Sequence, residues 1–382
     1  MLSEYEIIVF SDEWGRHPFS CQHIMKHFVD SNRMIWVTPT GMRNPKLTIH
    51  DINRIIEKLN NWRSSTEECQ DNKPLQIKPV ALPFNDFIPI RIINNSIVKS
   101  KVNNASNSTS KRIVITTLPI TAEYIDCFEA DAVIYYIVDD FLEMPGINRG
   151  YIASLEEKLI AKSDILFASS QKLCEIKSRK RKPILIPHGV DFEHFHNENN
   201  ALKNNNLLAG MQRPIIGFFG AIWGSPWIDF DLIATAAEAY QGWSFVFIGP
   251  VDADINELKK YNNIHFPGKV SYQELPFYAH QFDVGIIPFL VNDLTLSVNP
   301  LKLMEYFATG LPVVSTPLPE VKKFKDNLYI ANDKSEFIIS LKKAVDNLRY
   351  GKEERLQIAR DHSWRSIAKL FENEIVSFLQ KK

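Results

Sequence analysis

The segment NPLKLMEYFATGLPVVST, Asn299–Thr316, combines a short helix pattern with a β-branched run. Asn299 is a favoured N-cap, Pro300 suits the first helical position, and Gly310 suits the residue just past a helix end. Leu311–Thr316 then reads as a buried strand. Helix, glycine and buried strand make the repeating unit of a parallel sheet covered by helices. Lys302 falls in the first helical turn, where the helix dipole disfavours a cation. An anion bound there resolves that conflict, because free N–H groups and an ammonium together suit a diphosphate. Glu305 follows on the same side, where a carboxylate can accept hydrogen bonds from both hydroxyls of a ribose. Taken without the strand, Lys302 and Glu305 are read equally well as an i,i+3 surface pair.

Outward from this segment the alternation continues. Pro214–Phe219, Phe245–Ile248, Val284–Pro288 and Pro312–Ser315 read as strands with helices between them. Before them, residues 191–212 are polar and Asn-rich, the composition of a linker. On its far side a second series begins: Glu6–Phe10, Arg33–Val37, Arg112–Thr116, Ala132–Val138, Asp164–Ala168 and Pro183–Ile186 as strands, with amphipathic stretches such as Ser20–Val29 and Tyr151–Lys162. The expected fold class is therefore α/β, two doubly wound domains facing a cleft. The boundaries are 1–190, a linker over 191–212, a second domain over 213–350, and C-terminal helices over 351–382. Ser363–Gln380 is an amphipathic helix expected to cross back to the first domain. Residues 60–111 show no clear period and read as a long loop or insertion, either covering a site or lying on the surface.

The bulk numbers exclude several classes. A chain of 382 residues with 45% hydrophobic and 23% charged residues is ordinary globular protein. The net charge of -1 lacks the basic excess of a duplex-binding protein, so no nucleic-acid partner is expected. Four cysteines without a C-x-x-C pair suit reduced thiols and a cytoplasmic location. The acidic N-terminus is not a signal peptide, and no apolar run approaches the roughly 20 residues that span a bilayer.

With these residues in view, NPLKLMEYFATGLPVVSTPLPEV resembles the donor-site segment of bacterial group 1 glycosyltransferases of the GT-B fold, the type that builds exopolysaccharides and other cell-surface polysaccharides. IGFFGAIWGSPWIDFDLI (Ile216–Ile233), FVFIGP (Phe245–Pro250), FPGKVSYQELPFYAHQFDVGIIPF (Phe266–Phe289) and ILIPHGVDFEHF (Ile184–Phe195) extend the similarity, which covers roughly residues 130–320. The resemblance implies two Rossmann-like domains: an N-terminal one for the acceptor and a C-terminal one for the nucleotide-sugar donor. It implies that Lys302 meets the donor diphosphate and Glu305 the ribose. Gly220 and Ala221 would form a turn that lets backbone approach the phosphates. The loop Thr295–Asn299, with Thr295, Ser297 and Asn299, would line the same pocket. Many retaining relatives carry a second glutamate at the position of Ser297; its replacement is shared with the xanthan glucuronosyltransferase type, an inverting enzyme.

Inversion requires a general base for the acceptor hydroxyl. Asp139 and Asp140 follow the strand AVIYYIV, at the strand end where open α/β sheets bind ligands. Neighbouring carboxylates point apart, so one is expected to face the cleft, by analogy Asp139; equally, either residue taken singly can be read as a cap of the turn FLEMPG. The loop Ser11–Ser20 supplies Gly15 and Arg16 as acceptor contacts and His17 as an alternative base. Asp252–Ala253–Asp254 imitates a metal motif but lies in the wrong domain for it. His23, His27 and Cys21 lack a further ligand at a useful spacing. No P-loop is present, and no G-x-G-x-x-G follows the first strand.

The expected function is sugar transfer from a UDP-, GDP- or dTDP-sugar to a saccharide or polyprenyl-diphosphate-linked acceptor, with no metal and no other cofactor. Two other functions fit the same fold: a non-hydrolysing nucleotide-sugar epimerase, and a non-catalytic nucleotide-sugar-binding assembly protein. A lipid-linked acceptor implies peripheral contact with the inner face of the plasma membrane. Lys99, Lys101, Lys111 and Arg112, with LPFNDFIPI, are the candidate contact residues.

Overall fold

The computed structural model describes residues 2–15, 19–39, 66–67, 73–79, 87–107, 111–178, 181–197, 206–224 and 226–382. The chain divides into two compact units, Met1–Pro187 with Ile367–Lys382, and His188–Ser366. The boundary precedes the segment read as a linker. Asp191 caps a helix over Phe192–His196, and its Phe192 and Phe195 are buried in the core of the second unit, which draws this stretch out of the connector.

The strands of the first unit are β1 (Tyr5–Phe10), β2 (Met34–Val37), β3 (Thr66–Glu67), β4 (Leu75–Ile77), β5 (Lys111–Thr116), β6 (Ala132–Ile137), β7 (Ile165–Ala168) and β8 (Ile184–Leu185). They form one sheet in the order β3-β4-β2-β1-β5-β6-β7-β8. Every pairing is parallel except β3 with β4. Ile7, Ile8, Val9 and Phe10 are all fully buried, as a strand covered on both faces requires. Chain order reverses at β1, which lies between β2 and β5, so Ser11, Asp12, Thr117 and Asp139 all follow carboxyl ends near the switch point. The last helix, Trp364–Lys381, contributes Phe371, whose ring lies 4.7 Å from Phe167 and 6.1 Å from Tyr136.

The second unit holds β9 (Ile215–Phe219), β10 (Ser244–Ile248), β11 (Ile264–Gly268), β12 (Val284–Ile287), β13 (Val313–Ser315) and β14 (Tyr329–Ile330). Their order is β11-β10-β9-β12-β13-β14, which counted from β9 is the 3-2-1-4-5-6 of a Rossmann sheet. β9 and β12 flank the switch point, and Gly217 pairs directly with Gly285 across it. Both glycines are required by packing. A Cβ on Gly217 would lie 2.0 Å from the Phe282 ring, and one on Gly285 would lie 2.9 Å from the Tyr306 ring.

Several elements depart from the sequence reading. The short edge strands β11 and β14 were not apparent, because IHFPG contains Pro and Gly and YI is too brief to show a period. Residues 60–111, read as a loop, contain an 18-residue helix over Ile88–Ala105. Its buried positions are only Asn94, Val98 and Val102, while Ile88, Ile92 and Ile93 face solvent, so apolar residues occupy both sides and no helical stripe emerges. Two of the basic residues grouped with this region are engaged elsewhere. Lys111 pairs with Glu4 at 3.3 Å, and Arg112 pairs with Glu6 at 3.2 Å while donating to backbone carbonyls of Asn107 and Glu129.

Gly217→Ala must push the Phe282 ring out of the centre of the second sheet. It is expected to lower stability by about 1–3 kcal/mol, read as a fall in the thermal unfolding midpoint. An unchanged midpoint would mean that the ring has room the packing denies.

Candidate active site

In the second unit the chemistry gathers where β9 and β12 part. The helix Leu301–Ala308 begins one residue later than the sequence suggests, because Pro300 keeps an extended ψ of 109° and acts as the N-cap. No side chain caps this helix, so its first N–H groups stay open. Its end is as expected: Gly310 takes a φ of 74° just past the last turn.

Lys302 reaches from that first turn across the switch point. Its Nζ lies 5.2 Å from the centroid of Phe218 on β9 and 6.0 Å from that of Phe289, just after β12. It also rests on Gly220, where a Cβ would come within 2.5 Å of Lys302 Cε and 2.7 Å of Nζ. Gly220 has a φ of 136°, open to glycine but strained for other residues. Among the described residues no carboxylate lies within ion-pair distance of Lys302. Burial lowers its pKa, with Glu305 acting weakly in the opposite direction.

Glu305 is half-buried on the same helix. Desolvation raises its carboxyl to about 7 against the restraining effect of Lys302. Tyr272, its ring stacked 4.6 Å from His194, is near enough for its phenol to be pushed up by burial and then by Glu305 and Asp191. Two residues of this region were missed by sequence reasoning. Gly249 has a φ of 149°, and a Cβ on it would lie 1.9 Å from the Gly220 carbonyl oxygen, so the two glycine turns are made together. The strand-ending FVFIGP was its available signal. Tyr272 carried none.

The loop before the helix is more structural than expected. Thr295 is fully buried; its N–H donates to Asn292 Oδ1 at 3.1 Å and its hydroxyl accepts from the Asn292 N–H at 3.1 Å, a reciprocal cap that also bonds the Leu290 carbonyl. That hydroxyl thus serves the fold, one of the roles its position allows. Ser297 is also buried, with its N–H on the Leu294 carbonyl at 3.4 Å, whereas Asn299 and Ala221 are half-buried.

In the first unit the two adjacent aspartates separate. Asp140 is buried; its Oδ1 accepts from Lys177 Nζ at 2.9 Å and, at a longer 3.4 Å, from the Leu142 N–H of the 3₁₀ turn Phe141–Glu143. These contacts tie Asp140 to the surrounding scaffold. Asp139 is half-buried and has neither a hydrogen-bond nor an ion-pair partner among the described residues. Burial first, then Asp12 and Asp140, raise its carboxyl to about 7. Gly15 adopts a φ of 83° and donates its N–H to Gln22 Oε1 at 3.0 Å. Arg16 and His17 lie outside the described residues. Asp254 takes the Asn256 N–H at 2.9 Å within a turn.

Residues 213–347 match the family model "Glycosyl transferases group 1". The matched residues all lie within the second unit. Over 232 residues the chain is 31% identical to a Bacillus subtilis (strain 168) protein named "Putative teichuronic acid biosynthesis glycosyltransferase TuaH". That match covers 57% of this chain and 58% of the relative, so the chain spans less than two thirds of the relative's length. Anabaena Alr3699/HepE, solved with UDP and glucose, aligns with a TM-score of 0.71 at 11% identity, covering 97% of this chain and 99% of the other. Sucrose-phosphate synthase from Thermosynechococcus elongatus aligns at 0.70 and 13% identity, covering 99% and 100%. The two Rossmann-like units are those of a GT-B fold, and the residues that match the family model include Gly220, Lys302 and Glu305.

Glu305 also makes stability depend on pH. Its folded pKa lies above the unfolded carboxylate value, so between them the native state holds the extra proton. Its contribution is therefore fullest at acid pH and is lost as pH rises towards and through about 7. Glu305→Gln has no such loss, and should gain on the native chain between pH 5 and pH 8 by up to about 3 kcal/mol, read from thermal midpoints at each pH. A constant difference across that range would show an ordinary, solvated carboxylate.

Proposed function

We propose that the chain transfers a sugar from a nucleoside-diphosphate sugar to a saccharide or lipid-linked acceptor in the synthesis of a bacterial surface polysaccharide. The carrying observation is Lys302, a desolvated ammonium without a carboxylate, seated on a glycine turn beside an uncapped helix N-terminus at the switch point. A diphosphate leaving group gains negative charge as the glycosidic bond breaks, and preorganised N–H groups with an ammonium stabilise that charge. In this reading no metal or other cofactor is needed. Glu305 then accepts hydrogen bonds from the ribose, whose donors favour its ionised form.

The neighbour solved with UDP and glucose and the relative named for teichuronic acid biosynthesis support a nucleotide sugar and a surface polymer. On the acceptor side, Asp139 is the base. A carboxyl near 7 can both lose its proton at neutral pH and take one from a hydroxyl in the transition state.

The test is a screen of UDP-, GDP- and dTDP-sugars for thermal stabilisation, because a ligand of the native state raises its stability. One donor class should shift the midpoint by several degrees, and Lys302→Ala should remove the shift. An undiminished shift in Lys302→Ala would overturn the phosphate assignment.

A lipid-linked acceptor places the enzyme at the cytoplasmic face of a membrane. Among the described residues no helix is long and apolar enough to cross one. The helix Ile88–Ala105 supports peripheral contact: Phe87, Ile88 and Ile92 are about 60% exposed, Lys99 and Lys101 are exposed, and the helix carries no acidic residue. Vesicles containing phosphatidylglycerol should pellet the chain at low salt, and Ile88→Asp with Ile92→Asp should leave it in the supernatant. Equal pelleting of both proteins would exclude this face.

A further inference from the structure

Asp139 is anchored from behind by a buried polar chain that no sequence motif signals. Lys177 Nζ donates to Asp140 Oδ1 at 2.9 Å and to Glu156 Oε2 at 2.7 Å, and the Tyr135 hydroxyl donates to Glu156 Oε1 at 3.0 Å. All four side chains are buried, with Tyr135 fully so. They come from four places in the first unit: Tyr135 from β6, Asp140 from the turn after β6, Glu156 from the helix Arg149–Lys162, and Lys177 from the end of the helix Gln171–Ile176. Two carboxylates sharing one ammonium leave the group with a net negative charge that lies immediately behind Asp139.

We propose that Lys177 is a positioning residue for glycosyl transfer, fixing the Asp139 turn through Asp140 and limiting the negative field that Asp140 exerts on Asp139. The inference rests on the reading of Asp139 as the acceptor base. The geometry supplies both effects. Asp140 has its side chain fixed by Lys177 and by the Leu142 N–H, so the peptide carrying Asp139 cannot swing without breaking a buried ion pair. A cation 2.9 Å from Asp140 also offsets a like charge beside the base.

Among the described residues, the charged and titratable groups that act on Asp139, or on Tyr136 three residues before it, are Asp12 from the loop after β1, Asp140 on its own turn, and Cys21 from the helix Ser20–Met25. Asp12 and Asp140 both raise the Asp139 carboxyl, and Cys21 is itself held protonated by burial, at about 12. Lys177 is the cation that the described structure places against this group, through Asp140.

The sign of each variant follows. Removing Lys177 leaves Asp140 and Glu156 uncompensated, which favours the protonated form of Asp139. Removing the Asp140 charge does the reverse. In full-chain transfer assays under saturating donor, the rising limb of kcat against pH should move up by about one unit in Lys177→Met and down by about half a unit in Asp140→Asn. Lys177→Met combined with Asp140→Asn should bring the limb back towards its starting position, and Lys177→Arg should keep it there. The donor KM should stay within about twofold in all four. Folding loss alone lowers rates at every pH and cannot move two limbs in opposite directions; the ligand-free unfolding midpoint and near-UV circular dichroism of each variant, against the native chain, verify that the first unit is folded. A limb fixed at the native position in both single variants overturns the proposal. Asp139→Asn serves the parent reading separately: if it retains pH-dependent transfer, Asp139 is not the base. If it abolishes transfer while the Lys177 and Asp140 limbs stay fixed, only the role of Lys177 falls.

Discussion

The arrangement at the donor site depends on one close approach, that of the Lys302 ammonium to the backbone of Gly220. Two glycines make it possible. Gly220 has no Cβ to collide with the lysine, and Gly249 has none to collide with the Gly220 carbonyl. The rings of Phe218 and Phe289 flank the ammonium from either side of the switch point, lending it cation–π stabilisation of the partly desolvated kind. What these neighbours do not supply is a counter-anion. Glu305 on the same helix offsets the desolvated ammonium only in part, and the diphosphate of the proposed donor would complete the compensation. The packing of β9, β10 and β12 thus sets the electrostatic demand on which the proposed donor reading rests.

Much of the fold was legible because its strands are covered on both faces and read as unbroken apolar runs, Ile7–Phe10 and Ile215–Phe219 among them. Exposed or edge elements gave no such signal. The helix Ile88–Ala105 faces solvent with isoleucines and the core with Asn94, which erases the periodicity that would have revealed it. At the site, Lys302 could be found because it violates a local rule of helix electrostatics. At Thr295 a hydroxyl suited to a phosphate is equally suited to a reciprocal helix cap, and only the position of Asn292 reveals the cap. Gly249 was overlooked because its requirement comes from a carbonyl on another loop.

The pair Asp139–Asp140 shows the same limit in its sharpest form. Adjacent, identical residues receive opposite environments, and the cause lies at Lys177, far along the chain. Asp140 takes the cation and the turn, and becomes part of the scaffold. Asp139 receives desolvation and two like charges. No local property of the dipeptide distinguishes the two roles.

Glu305 and Asp139 end at similar acidities, about 7, by different routes, and the difference bears on what each can do. Both are raised first by desolvation. Glu305 has a cation on its own helix that pulls it back, so hydroxyl donors arriving with a ligand reinforce an ionisation already favoured by Lys302. Its tendency is to stay charged once bound, which suits a group that only holds its partner. Asp139 is opposed by carboxylates and, among the described residues, is met by no cation of its own. A proton arriving there relieves repulsion as well as desolvation, so the protonated form is close in energy to the ionised one at neutral pH. Closeness of the two forms is what proton transfer requires, and two half-buried carboxylates with matching acidities are thereby suited to opposite tasks.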